Sequence, residues 1–331
     1  MAFSLVTGAT GFIGGHVARA LVERGDEVRC LVRPSSSRRA LDGVEVETAE
    51  GDLLDRASLQ RAMRGVDHVF HCAADYRLWA RHPREIFATN VDGTANVLAA
   101  AADAGVQRIV YTSSVATIGI DPRGAADERR MASASDLVGA YKKSKHAAEL
   151  VAKRAADEGL PVVIVNPSTP VGELDVKPTP TGRIIVDFLN GRMPAYVDTG
   201  LNVVDVRDVA SGHLLAADRG CPGERYILGN ANVTLKALLD MLARVSGRRP
   251  ARLRLPHWIP MTIGAASTAA AAVTGSTPRV PLDAVRMSRH RMYFDSTKAV
   301  TELGLPQHPI EDALVRAVDW FCANGYVKTA A

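Results

Sequence analysis

The chain has 331 residues, 47% of them hydrophobic and 23% charged, a globular composition that excludes a disordered or fibrous protein. Forty Lys and Arg against 36 Asp and Glu leave a net charge of +4, which gives no reason to expect nucleic acid as a partner. Cys30, Cys72, Cys221 and Cys322 lie far apart with no CxxC pair, so neither a disulfide scaffold nor a zinc site is expected and a cytoplasmic, reducing setting is. No histidine falls in HxxxH or HxH spacing, so no metal is expected. The N-terminus enters a strand without the basic region and cleavage site of a secretory signal. The weakly apolar run 258–273 contains Pro260 and Gly264 and falls short of the roughly 20 residues that make a transmembrane segment. Its alanine-rich stretch, Ala265 to Val273, either admits a bulky apolar substrate or packs closely against a neighbouring element, and close packing is the preferred reading.

Residues 3–7 form an apolar run that ends at glycine, after which Ile13, Val17, Leu21 and Val22 recur at helical spacing until Gly25. The pattern then predicts strands at 27–33, 44–46, 66–71, 108–113 and 161–166. Between them it predicts helices at 56–64, 87–104 and 140–158. Apolar strands alternating with amphipathic helices imply an α/β fold, a doubly wound parallel sheet of the Rossmann type, because parallel strands need crossover helices. After Asn166 the prolines 167, 170, 178, 180 and 194 break the rhythm. The expected layout is a dinucleotide-binding domain over 1–166, with return segments near 206–218 and 295–300. A smaller substrate-binding lobe takes 167–205 and 219–294. A C-terminal helix and tail occupy 301–331, with fraying from about 324 onwards.

The segment from Gly8 through Thr10, Gly11, Phe12 and Ile13 to Gly14 spaces its glycines GxxGxxG, directly after the first strand and at the start of the first helix. Glycines there allow a sharp turn and close approach to a pyrophosphate, whose charge is met by the helix N-terminal N–H groups. An acidic residue closing the second strand would bind the ribose 2′-OH of NAD. Arg33 stands there instead, followed by three serines, Arg38 and Arg39. Arginine pairs bidentately with phosphate, so NADP(H) is the preferred cofactor, with Arg33 and either Arg38 or Arg39 as the clamp and NAD(H) still possible. Asp52 is read either as an acceptor for the adenine amino group or as a helix cap.

Tyr141 and Lys145 lie four apart on one face of a predicted helix. An ammonium beside a phenol favours the phenolate, which makes Tyr141 a candidate general acid/base. Ser114, beside Thr112 at the carboxyl end of the fifth strand, sits where open α/β sheets place ligands and could orient a substrate oxygen.

Taken together these motifs resemble the extended short-chain dehydrogenases/reductases, the NAD-dependent epimerase/dehydratase group. The resemblance rests on the three glycines, Gly51-Asp52-Leu53, His71-Cys72-Ala73-Ala74, Asn90-Val91-Asp92-Gly93-Thr94 and Thr112-Ser113-Ser114. Tyr141 with Lys145, Asn166-Pro167 and the stretch from Asp295 through Lys298 to Gly304 extend it over essentially the whole chain. Arg33 places it nearer the dihydroflavonol-4-reductase-like branch. The stretches 74–80, 166–172, 177–183 and 194–200 are similar to bacterial hopanoid-associated sugar epimerases. The resemblance implies catalytic roles for Ser114, Tyr141 and Lys145, with Lys145 lowering the Tyr141 pKa and holding the nicotinamide ribose. It implies cofactor contacts from Leu53, Cys72, Ala73, Ala74, Asn90, Thr112, Pro167 and Ser168. It also implies a homodimer through the helices at 87–104 and 140–158. Where many relatives carry a histidine, this chain has Asp205.

Substrate contacts are expected from Asp75, Tyr76, Trp79, Arg183 and Tyr196. Trp258 and Tyr293 are further candidate aromatic walls, and Lys177, Arg192 and 289–291 candidate cations for a diphosphate. Aromatics serve as often in the core, and charge runs usually form a solvated face. Two enzymatic readings follow, an NADP(H)-dependent reductase or oxidoreductase of a ketone, aldehyde or alcohol, and a nucleotide-sugar epimerase. A nucleotide-sensing protein without turnover is the third, and the intact Ser114, Tyr141 and Lys145 speak against it.

Overall fold

The computed structural model describes residues 2–278 and 280–328. In chain order the first half runs β1 (Phe3–Thr7), α1 (Phe12–Arg24), β2 (Glu27–Val32), β3 (Glu47–Glu50), α2 (Arg56–Ala62) and β4 (His68–His71). It continues through α3 (Pro83–Phe87), α4 (Gly93–Asp103), β5 (Arg108–Thr112), α5 (Gly139–Asp157) and β6 (Val162–Pro167). The second half contains β7 (Thr169–Val171), α6 (Pro180–Leu189), β8 (Ala195–Val197), β9 (Gly200–Asp205), α7 (Val206–Arg219), β10 (Arg225–Leu228) and β11 (Ala231–Thr234). It ends with α8 (Leu235–Ser246), β12 (Leu253–Leu255), α9 (Trp258–Thr274), α10 (Leu282–Met287), β13 (Arg291–Met292) and α11 (Ile310–Ala323).

Among the described residues, seven strands form one parallel sheet in the order β10-β6-β5-β4-β1-β2-β3. This is the expected doubly wound fold. Its strands read as continuous apolar runs because alternate residues feed two cores. Leu5, Ile109 and Ile164 pack on one face with Leu59 of α2, Val97 of α4 and Ala148 of α5. Val6, Val110 and Val165 pack on the other with Val17 of α1 and Leu214 of α7. Gly25, in the left-handed conformation at φ 91°, ends α1 and turns the chain back into β2. A third core, built from Phe188, Leu238, Leu242, Leu314 and Phe321 among others, belongs to the smaller lobe. There β7, β9, β11 and β13 make a second sheet, and β8 pairs with β12.

Several expectations are corrected. The third strand is at Glu47–Glu50, not 44–46. Its residues are polar because most of them are exposed at the rim of the sheet, and the apolar Val44 and Val46 belong to the approach. The helix expected at 87–104 begins at Pro83 and is interrupted by a π turn at Ala88–Asp92 that contains Asn90. The stretch 219–294 is not all lobe, because β10 hydrogen-bonds β6 at the edge of the main sheet. The helix α11 belongs to the lobe core. The tail is tied down through Lys328, whose N–H donates to Asn190 Oδ1 at 3.0 Å, while the Tyr326 hydroxyl donates to Val176 O at 2.7 Å. Residues 329–331 of the tail lie outside the described residues. The alanine-rich helix packs by one narrow face only and is otherwise exposed.

Candidate active site

The turn from β1 to α1 is built by backbone crowding that only glycine permits. Gly8 has φ 72°, and a Cβ on it would stand 2.6 Å from Ala73 N. A Cβ on Gly14 would stand 2.3 Å from Gly8 O. The end of β4, Cys72 and Ala73, therefore sits directly on the glycine turn, and Cys72 N donates to Thr7 O at 3.2 Å. Gly11 at the N-cap supplies no side-chain cap, and the first turn of α1 carries no acidic residue. Its N–H groups and the positive end of the helix dipole, with Thr10, Phe12 and Ile13 around them, suit a pyrophosphate. Ser168 Oγ at the end of β6 is buried with no hydrogen-bond partner among the described residues. A polar atom buried this way is costly unless a ligand engages it, so this end of the sheet fits a dinucleotide as well.

Arg33 lies exposed beyond β2, and neither it nor Arg38 forms an ion pair among the described residues. Arg39 donates to Asn324 Oδ1 at 2.7 Å. Asp52 accepts from Leu54 N at 2.9 Å and is not the helix cap, since Asp55 caps α2 through Ala57 N and Ser58 N. Leu53 is buried against Gly93.

At the carboxyl end of β5, Ser114 Oγ accepts from Ala116 N at 3.1 Å, which fixes the hydroxyl and leaves its proton free to donate. Tyr141 stands on the first turn of α5, and its phenol is raised above its ordinary pKa by burial, with hydrogen bonding to Ser114 pulling the other way. Lys145 is fully enclosed. Its Nζ donates to Thr112 O at 2.8 Å and to the Tyr111 hydroxyl at 3.3 Å, and burial lowers its pKa to about 8. The expected lowering of the Tyr141 pKa by Lys145 is therefore not what this geometry gives, because the ammonium is held by β5 while desolvation dominates at the phenol.

A buried polar chain joins the cofactor end to this helix. Thr94 Oγ1 donates to Asn90 O at 2.6 Å, so it accepts from His71 Nε2 at 3.1 Å, and His71 Nδ1 accepts from Thr7 Oγ1 at 2.8 Å. Burial pushes the His71 pKa down to about 3, which keeps the ring neutral. Asn90 Oδ1 accepts from Asp75 N at 2.7 Å, and its Nδ2 donates to Asp75 O and to Ser144 Oγ on α5, both at 2.9 Å. Asn90 thus fastens the loop after β4 to α5. Behind Ser114, the buried Glu149 carboxylate accepts from Ser113, Thr117 and Asn166 and pairs with Arg225 at 2.9 Å. Thr112 Oγ1 donates to His213 Nε2 at 2.9 Å, and burial lowers His213 to about 4.

Tyr111, Glu149 and His213 were missed from the sequence. Glu149 carried a usable signal, since Tyr141, Lys145 and Glu149 repeat every four residues on one face of α5. Asp205 is buried, caps α7 through Arg207 N at 2.9 Å and pairs with Arg316.

The substrate candidates are dispersed. The Asp75 carboxylate is engaged by Arg77 at 2.6 Å, and the Tyr76 hydroxyl donates to Lys177 O at 3.1 Å. Trp79 is half-buried and Arg183 exposed near Tyr76 and Asp175. Tyr196 packs against the lobe core, and Arg192 and Arg291 pair with Asp187 and Asp198. Among the described residues no cluster of metal-ligating side chains occurs.

The sequence profile of the NAD dependent epimerase/dehydratase family matches residues 4–229. The chain is similar to a Synechocystis sp. protein provisionally named dihydroflavonol 4-reductase, 49% identical over 98% of this chain and 96% of that one. It is similar to sterol demethylase protein B of Methylococcus capsulatus, 37% identical over 98% and 99%. Among solved structures it is similar to a nucleoside-diphosphate-sugar epimerase from Pseudomonas aeruginosa, with a TM-score of 0.80, 34% identity and 99% coverage of both chains.

Proposed function

Since the chain belongs to the NAD dependent epimerase/dehydratase family and is an NAD(P)-dependent oxidoreductase or epimerase, we propose that it is an NADP(H)-dependent reductase acting on a carbonyl carbon. The observation that carries this reading is the Tyr141 phenol beside Ser114, above the enclosed Lys145, at the carboxyl end of the main sheet. The pyrophosphate would be held by the turn of Gly8, Thr10, Gly11, Phe12, Ile13 and Gly14, and a 2′-phosphate by Arg33 with Arg38. Leu53, Asp52, Cys72, Ala73, Ala74, Asn90, Thr112, Pro167 and Ser168 would complete the cradle. The nicotinamide group, when bound, supplies the hydride chemistry.

Ser114 donates its free hydroxyl proton to the substrate oxygen and orients it. Tyr141 gives that oxygen its phenolic proton as it becomes an alkoxide. A phenol kept protonated by burial is already the proton donor that reduction needs, whereas oxidation needs the phenolate. Lys145, enclosed and tied to β5, places positive charge under the reacting oxygens and is positioned for the nicotinamide ribose. Substrate contacts fall to Asp75, Tyr76, Trp79 and Arg183. The reading includes a homodimer through α4 and α5, where Leu150 projects exposed. A cytoplasmic setting is supported by four free cysteines.

The second reading is a nucleotide-sugar epimerase, favoured by the 34% identical Pseudomonas neighbour. Hopanoid association rests on the motif resemblance alone. Titration of purified protein with NADPH and NADH, after a test for co-purified nucleotide, separates the two. Exchangeable NADPH binding supports the reductase, and retained NAD(H) that does not exchange supports the epimerase. Tyr141→Phe is expected to lose roughly 100- to 10,000-fold in kcat with cofactor affinity preserved. Full turnover in that variant refutes the proton-transfer role. Arg33→Asp is expected to weaken NADPH roughly 10- to 100-fold more than NADH, and equal losses refute the clamp.

A further inference from the structure

The helix α9 is inside out for a surface helix. Its 17 residues carry no charged side chain. The face that packs consists of Gly264, Ser267, Thr268 and Ala271, at helical spacing. It lies against α10 and the residues leading into it, where Ser267 Oγ accepts from Val280 N at 3.3 Å and Thr268 Oγ1 from Leu282 N at 3.0 Å. Ser267 and Thr268 therefore cap a neighbour, Thr262 and Thr274 return their hydroxyls to carbonyls of their own helix, and Trp258, Ile263 and Val273 face outward. Trp258 is 67% exposed, Ile263 51% and Val273 87%, with five exposed alanines between Ile263 and Val273. A face like this normally has a partner.

The charge around it says which partner. Residues 247–294 contain eight arginines and one acidic residue, Asp283, more positive charge than the whole chain's net +4. Arg248, Arg249 and Arg252 form no ion pair among the described residues. They line an open groove of about 1240 Å³ with Arg192 and Lys328. The same run of chain then passes through Leu253, 60% exposed, straight to Trp258. Unpaired arginines next to exposed tryptophan and aliphatic residues complement anionic headgroups over acyl chains. A two-fold contact between copies through this face would instead set like-charged runs against each other. At about 25 Å the helix suits a position in the interfacial plane, and no helix among the described residues is long and apolar enough to cross a membrane.

We propose that the outer face of α9, together with the arginine-rich run leading into it, docks the protein on an anionic phospholipid bilayer. The packed side of α9 is linked to the start of the Tyr141 helix through α10. Asp283 of α10 lies 2.7 Å from the position of a Cβ on Gly139, two residues before Tyr141, and Arg81 lies 3.1 Å from that on Gly275 at the end of α9.

The test is co-sedimentation of the whole protein with phosphatidylcholine vesicles, with and without phosphatidylglycerol. Wild type is expected to bind the anionic vesicles and to leave them as salt rises. Arg248→Ala/Arg249→Ala/Arg252→Ala is expected to lose roughly 100-fold in affinity. Ile263→Glu/Val273→Glu is expected to abolish binding. As a check that needs no disruptive variant, brominated phosphatidylglycerol should quench the wild-type tryptophan emission, and the quenching should vanish in Trp258→Phe. The proposal is overturned by absence of wild-type binding, by equal binding of the glutamate variant, by quenching that survives in Trp258→Phe, or by a halved molecular mass of the glutamate variant in solution, which would assign the face to a second copy. None of these readouts involves turnover, so their failure leaves the reductase reading standing.

Discussion

Glu149→Gln tests the framework behind Ser114. One carboxylate oxygen of Glu149 accepts from Ser113 Oγ at 2.5 Å, Thr117 Oγ1 at 2.7 Å and Asn166 Nδ2 at 2.8 Å, and the other pairs with Arg225 at 2.9 Å. The two side chains are only 4% and 11% exposed, so solvent screens them little. Glutamine offers a single acceptor oxygen. If that oxygen faces the three donors, the amide NH2 meets the guanidinium, and if it is flipped, three donors lose their acceptor. Either way a buried Arg225 is left uncompensated, a loss of about 3–5 kcal/mol, large against a total stability of about 5–15 kcal/mol. Arg225→Met should cost a similar amount. The double variant removes both charges and should be less destabilised than the sum of the singles by about 1–3 kcal/mol. Urea unfolding followed by circular dichroism measures all four corners of the cycle. A loss below about 1 kcal/mol for Glu149→Gln, or strict additivity in the double variant, would refute the reasoning.

His213 is neutral when folded, at a pKa of about 4 against 6.5 unfolded. The unfolded chain therefore binds more protons below pH 6.5, and this contribution to stability is lost as pH falls from 6.5 towards 4. Asp175, raised to about 6 by burial, acts in the opposite direction over part of that window, so the variant difference is the informative quantity. Between pH 7 and 4.5, His213→Gln should lose less stability than wild type by about 2–3 kcal/mol, and identical pH slopes in denaturant titrations would contradict this. Gly14→Val should abolish nucleotide binding in isothermal titration, because a Cβ there meets Gly8 O at 2.3 Å; retained affinity would refute the glycine argument. Asn90→Ala removes two hydrogen bonds to the Asp75 loop and one to Ser144 of α5 and should cost about 2–4 kcal/mol, with a fall in kcat larger than any change in KM. An unchanged kcat would reduce Asn90 to a purely structural role.

What the amino-acid order determined by itself was whatever depends on near neighbours. The glycine turn, the alternation of strand and helix, the one-face placement of Tyr141 and Lys145, and the serine ending β5 all follow from periodicities of two and about four residues. Tertiary structure decided the features whose partners lie far away in the chain. The edge strand β3 is polar because its faces stay largely uncovered, whereas the other edge strand, β10, is buried and joins the main sheet although it follows the start of the lobe. Arg39 meets Asn324, 285 residues further along the chain, a contact no local pattern shows. The Tyr141 phenol, expected to be lowered by Lys145, is raised because burial of the helix and capture of the ammonium by Thr112 O both depend on how α5 docks on β5. The outward apolar face of α9 was invisible for the same reason. Composition shows that a segment is apolar, but only the packed fold shows which of its faces is left without a neighbour.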